Sequence, residues 1–87
     1  NNMAFNELHI SSLIIHVIPL HIEHIKQQIN TIDGVEVIGS NPNGKIVVVI
    51  ECEKEHQITS TLEQITKFEY VLAGTLVFHQ IEDTSIS

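Results

Sequence analysis

The chain has no arginine and no tryptophan, and only one cysteine, two prolines and four glycines among its 87 residues. Each scarcity removes a class of protein. Without arginine there is no planar guanidinium to cradle a phosphate, so acylphosphatase-type chemistry lacks its anchor. Four lysines against eleven acidic residues give a formal net charge of -7, a surface that repels nucleic-acid backbones and suits a basic peptide. The lone Cys52 cannot close an internal disulfide, nor can it supply the clustered thiolates of a copper chaperone or a ferredoxin. No apolar run reaches the roughly 18 to 20 residues that span a bilayer. No charged, apolar and small-residue cleavage pattern opens the chain either, so the expectation is a soluble cytoplasmic protein without stable membrane insertion.

What the chain does have is isoleucine and valine, within a hydrophobic fraction of 43% and an aromatic fraction of 5%. A chain of this length forms one domain burying somewhat over about 60% of its unfolded surface. The β-branched bias favours strands with short helices over a helical bundle. Leu8 to Val17 reads as a central strand. Pro19 suits the first turn of a helix whose Ile22, Ile25, Ile29 and Ile32 form one apolar stripe, stopped by Gly34. Val35 to Ser40 is a short strand, and Asn41-Pro42-Asn43-Gly44 a turn leading into Lys45 to Cys52. A second helix, about His56 to Lys67, carries Ile58, Leu62, Ile65 and Phe68 on one side, and Val71 to Gln80 is the last strand.

The order is β-α-β-β-α-β, and its halves echo each other: Ile29-x-x-Ile32-Asp33-Gly34-Val35 against Ile65-x-x-Phe68-Glu69-Tyr70-Val71. Right-handed crossovers then place both helices on one face of a four-stranded antiparallel sheet of order 4-1-3-2, an α+β ferredoxin-like sandwich. The expected domain spans 8–80, with flexible segments at 1–7 and 81–87. If Leu13, Ile15 and Val17 face the helices with Ile46, Val48 and Ile50, the open face carries Ser12, Ile14, His16, Val47, Val49, Thr75, Val77 and His79. The opposite phase of the last strand would expose Leu76 and Phe78 instead; their size favours placing both in the core. Glu7, Glu51, Glu82 and Asp83 are candidate rim carboxylates able to meet an incoming arginine.

Other constellations carry less. His16, His21 and His24 crowd into "HVIPLHIEH", but a metal would need them to converge within about 2.0 to 2.1 Å of one ion, and no thiolate supports the set. No metal or cofactor is expected. Cys52 and His56 could pair as nucleophile and base, yet Glu51, Glu53 and Glu55 oppose thiolate formation and no third orienting group is present, so no enzymatic activity is expected. RNA-recognition modules of this topology stack bases on aromatic residues of the central strands, where this chain has Val47 and Val49.

Ser12-Leu13-Ile14-Ile15-His16-Val17 with Pro19, then Asp33-Gly34-Val35-Glu36-Val37, Gly44 to Glu51, and Leu76-Val77-Phe78-His79-Gln80 with Glu82 together resemble the NapD family, from about Ile10 to Glu82. The resemblance implies a ferredoxin-like cytoplasmic chaperone for maturation of the periplasmic nitrate reductase. Such a protein binds the twin-arginine signal peptide of the molybdenum-containing catalytic subunit as a helix-like segment on the open sheet face. Export is thereby held back until the cofactor is inserted. Where that family commonly has proline-glycine before the second and fourth strands, this chain has Asp33-Gly34 and Glu69-Tyr70, and His21 and His24 match no family pattern. Two rival readings are a small-molecule-binding regulatory module, which would need a glycine-rich strand-helix loop, and a histidine-based metal-handling protein.

Overall fold

The computed structural model describes residues 7–83. Strand β1 (Glu7–Val17) leads through a 3-10 turn (Pro19–His21) into helix α1 (Ile22–Asn30), then come β2 (Val35–Asn41), β3 (Lys45–Cys52), α2 (Glu55–Thr66) and β4 (Val71–Asp83). The sheet order is β2-β3-β1-β4 with every pairing antiparallel, the arrangement the duplicated βαβ pattern predicts. Differences lie at the ends. Glu7 belongs to β1, and β4 runs three residues past Gln80, because Ile81, Glu82 and Asp83 pair with His9, Leu8 and Glu7. Residues 84–87 and 1–6 lie outside the described residues.

One core holds both helices to one face. Leu13, Ile15 and Val17 of β1 and Ile46, Val48 and Ile50 of β3 meet Ile25 and Ile29 of α1 and Ile65 of α2, all essentially inaccessible. The β-branched side chains have few rotamers to lose on burial, and their alternation fits the pleat. Ile22, Ile32, Leu62 and Phe68 seal the margin of this cluster.

The two halves repeat down to single hydrogen bonds. After α1, the Thr31, Ile32 and Val35 amides donate to the Gln28, Ile29 and Ile32 carbonyls; after α2, Lys67, Phe68 and Val71 donate to Gln64, Ile65 and Phe68. Each turn then passes through a left-handed residue, Gly34 at φ 77° and Tyr70 at φ 75°. Their carbonyls accept from Glu51 and Ile18 respectively, at 2.8 and 2.9 Å. Glycine is required in the first half, since a Cβ at Gly34 would stand 2.6 Å from the Glu51 carbonyl oxygen. Tyr70 keeps the same turn at a cost of roughly 1 to 2 kcal/mol. Its ring stacks on His21, centroids 3.5 Å apart and planes within 7°, a contact that offsets about 1 kcal/mol of that cost. Thus the departures from the family pattern at Tyr70 and at His21 are one feature.

Candidate functional site

Directly paired residues in an antiparallel sheet point to the same side, so the registers assign the paired side chains of the uncovered face. Read across the strands, that face forms rows about 7 Å apart. Leu8 and Glu82 make the first row, and Glu51, Ile10 and Gln80 the second. Glu36, Val49, Ser12 and Phe78 form the third, and Gly39, Val47, Ile14 and Thr75 the fourth. Asn41, Lys45, His16 and Ala73 complete the face. Its middle is apolar, with Ile10, Ile14, Val47 and Val49 all half-buried although no helix covers them.

Six of the eight residues expected on this face lie there: Ser12, Ile14, His16, Val47, Val49 and Thr75. The other two do not follow simple alternation. The β1–β4 register shifts between Ser12 and Leu13, whose partners are Phe78 and Leu76, which leaves Val77 as the extra residue of a β-bulge. Beyond the bulge the phase inverts. Phe78, expected in the core, stands on the open face opposite Ser12 and is 52% exposed, whereas His79 pairs with Ser11 on the helix side. Leu76 keeps its expected side opposite Leu13 but is 45% exposed, so α2 does not fully cover it.

The displaced His79 has a partner. Its Nε2 is hydrogen-bonded to His9 Nδ1 at 3.0 Å, and His9, 4% exposed, places Nε2 3.3 Å from Glu7 Oε1. Both ring nitrogens of His9 thus have a partner, Nδ1 in His79 and Nε2 in the Glu7 carboxylate. Of the four candidate rim carboxylates, Glu7 is therefore occupied on the helix side, and Asp83, paired with Glu7 in the register, shares that side. Glu51 and Glu82 do stand on the open face, Glu82 accepting a 3.0 Å bond from Gln80 Nε2. Glu36, read from the sequence as a solvated side chain, joins them opposite Val49.

A second bulge, at Ile38 of β2, leaves this side chain 57% exposed beside a hollow of about 270 Å³ lined also by Ile14, Gly39, Lys45 and Val47. The sequence marks these two bulges only weakly. The only hint is compositional: Ile38-Gly39 interrupts the alternation of β2, and Val77-Phe78 puts two bulky apolar residues side by side.

The remaining candidates separate. His16 belongs to the open face, while His21 stacks on Tyr70 at the far side of Pro19, so the histidine-rich stretch does not converge. Among the described residues no group of three or more histidine, cysteine or acidic side chains is placed to hold a metal. Cys52 donates from Sγ to the Lys54 carbonyl at 3.3 Å, and burial pushes its thiol pKa up, the opposite of an activated nucleophile. The glycine nearest the first strand-helix turn is Gly44, where a Cβ would collide with the Val17 carbonyl and meet the Pro19 ring, so it serves packing.

A ferredoxin-like sandwich with one bare, apolar, acid-flanked sheet face belongs to the class of modules that present a surface to a partner. The NapD protein family model matches residues 8–83, and the chain belongs to the NapD family. It is 36% identical over 75 residues to Chaperone NapD of Escherichia coli (strain K12), a span of 85% of this chain and 86% of that protein. Chaperone NapD of Shigella flexneri matches to the same extent. The solution structure of the E. coli Tat proofreading chaperone protein NapD superposes with a TM-score of 0.78 at 34% identity, covering 91% of this chain and 84% of that one. The chain is a NapD-type chaperone, and this membership disfavours the regulatory-module and metal-handling readings. No helix among the described residues is long and apolar enough to cross a membrane.

Proposed function

We propose that this chaperone acts in the cytoplasm, without catalysis, on the twin-arginine signal peptide of the periplasmic nitrate reductase catalytic subunit. It covers the peptide until the molybdenum cofactor is in place and so prevents premature export. The observation that carries the reading is the open face itself, an apolar centre of Ile10, Ile14, Val47, Val49 and Phe78 flanked by Glu36, Glu51 and Glu82. An arginine pair followed by an apolar stretch complements that pattern in both chemistry and order. Relatives named as Tat proofreading and NapD chaperones support the same partner.

Covering about 500 Å² of apolar surface would supply on the order of 12 kcal/mol, against association and ordering costs of comparable size, so micromolar to nanomolar affinity follows. The carboxylates add rate and selectivity more than affinity. Titrating the labelled chaperone with the signal peptide should shift amides of β1, β3 and β4 on the open face, and added salt should slow association. Shifts confined to α1 and α2 would refute the site, and an on-rate indifferent to salt would refute the electrostatic part.

A further inference from the structure

The rows of the open face are not equivalent along the strands. The carboxylates that the registers place on it, Glu82 in the first row, Glu51 in the second and Glu36 in the middle one, leave the last two rows without any. Lys45 and His16 share the last row at the opposite end. The hollow beside Gly39 opens in the fourth row and extends to Lys45 and Asn41 of the last. The face therefore has a direction, and a segment charged at one end and apolar beyond it fits in one sense only. Reversed, it would lay its guanidinium groups over Lys45.

The conformation of the occupant follows from where it sits. Over the middle of a sheet all backbone partners are already used by neighbouring strands, so a bound segment must satisfy its own N–H and C=O groups, as a helix does. From the Glu51 row to the Val47 row is four residues of strand, about 13 Å. A helix covers that distance in about nine residues.

Resting on the signal-peptide reading above, we propose that the peptide binds in a single sense. Its arginine pair lies over the Glu51 row, with Glu36 to one side and Glu82 to the other, and an apolar side chain about nine residues towards its C-terminus fills the hollow bordered by Ile14, Ile38, Gly39 and Val47. Gly39 is what keeps the hollow open: a Cβ there would meet nothing within 4 Å.

The test uses a synthetic peptide with an arginine pair followed by an apolar stretch, carrying a nitroxide either beside the arginines or nine residues on. The first label should broaden the amides of Ile10, Glu51 and Gln80, and the second those of Gly39 and Val47. The opposite assignment, or equal broadening at both ends from either label, overturns the single sense while leaving the signal-peptide reading intact. Absence of binding, or broadening confined to the helices, overturns that reading too. Gly39→Val, which fills open space without disturbing packing, should weaken a peptide with leucine at the ninth position about tenfold and one with alanine there hardly at all. Equal effects on both peptides would overturn the assignment of the hollow.

Discussion

Neighbouring residues of β1 lie on faces with opposite fates. Leu13, Ile15 and Val17 are between 0% and 2% exposed beneath the helices, whereas Ile10, Ser12, Ile14 and His16, one position out of phase, remain half-open. Both faces are rich in isoleucine and valine, so composition does not distinguish them. The difference is whether an amphipathic helix has been supplied to cover each. Hydrophobicity on the covered face stabilises the fold, while the same chemistry on the bare face is available to a partner.

Truncating each face separately should expose this division. Ile15→Ala, in the completely buried layer, should cost about 4 kcal/mol in denaturant unfolding. Ile14→Ala beside it should cost under about 1 kcal/mol and register instead as weaker signal-peptide binding. Comparable losses of stability from both would erase the distinction between the faces.

Around the β4 bulge the same contrast falls on two successive residues. His79→Ala leaves the His9 Nδ1 without its partner in a buried place, and should lower stability by about 2 kcal/mol with peptide affinity unchanged. Phe78→Ala removes an exposed ring from the open face; it should weaken peptide binding about tenfold, measured by calorimetry, and leave the unfolding midpoint nearly unmoved. The smallest effect is expected from deleting Val77. That deletion restores an unbroken ladder with Leu76 still on the helix side, Phe78 still opposite Ser12 and His79 still opposite Ser11. It should change stability by less than about 1 kcal/mol and preserve the nuclear Overhauser contact between the His9 and His79 rings; loss of that contact would mean that the bulge itself sets the phase of the strand end.

Much of this was legible from residues alone. Element order, the single helix-bearing face and the phase of β1 and β3 follow from periods of 3.6 and 2, which are local properties of the chain. Their long runs of alternation leave little freedom, and the core residues Leu13, Ile15, Ile46 and Val48 are those the pattern selects. The turn at Tyr70 was harder, because its φ of 75° is ordinarily a glycine's; only the fold brings His21 against the ring that offsets the strain.

The sequence by itself determined the topology, the acidic character and the identity of most of the open face. Tertiary structure decided the side on which Phe78 and His79 stand, the fate of Glu7 in a buried histidine contact, the recruitment of Glu36 and the absence of carboxylates from the last two rows of the open face. The physical reason is that strand side-chain direction has period 2, so one unpaired residue reverses every position beyond it. Whether a residue is left unpaired depends on the register with another strand, and that is fixed only when Leu13 and Ser12 of β1 meet Leu76 and Phe78 of β4 more than sixty positions along the chain.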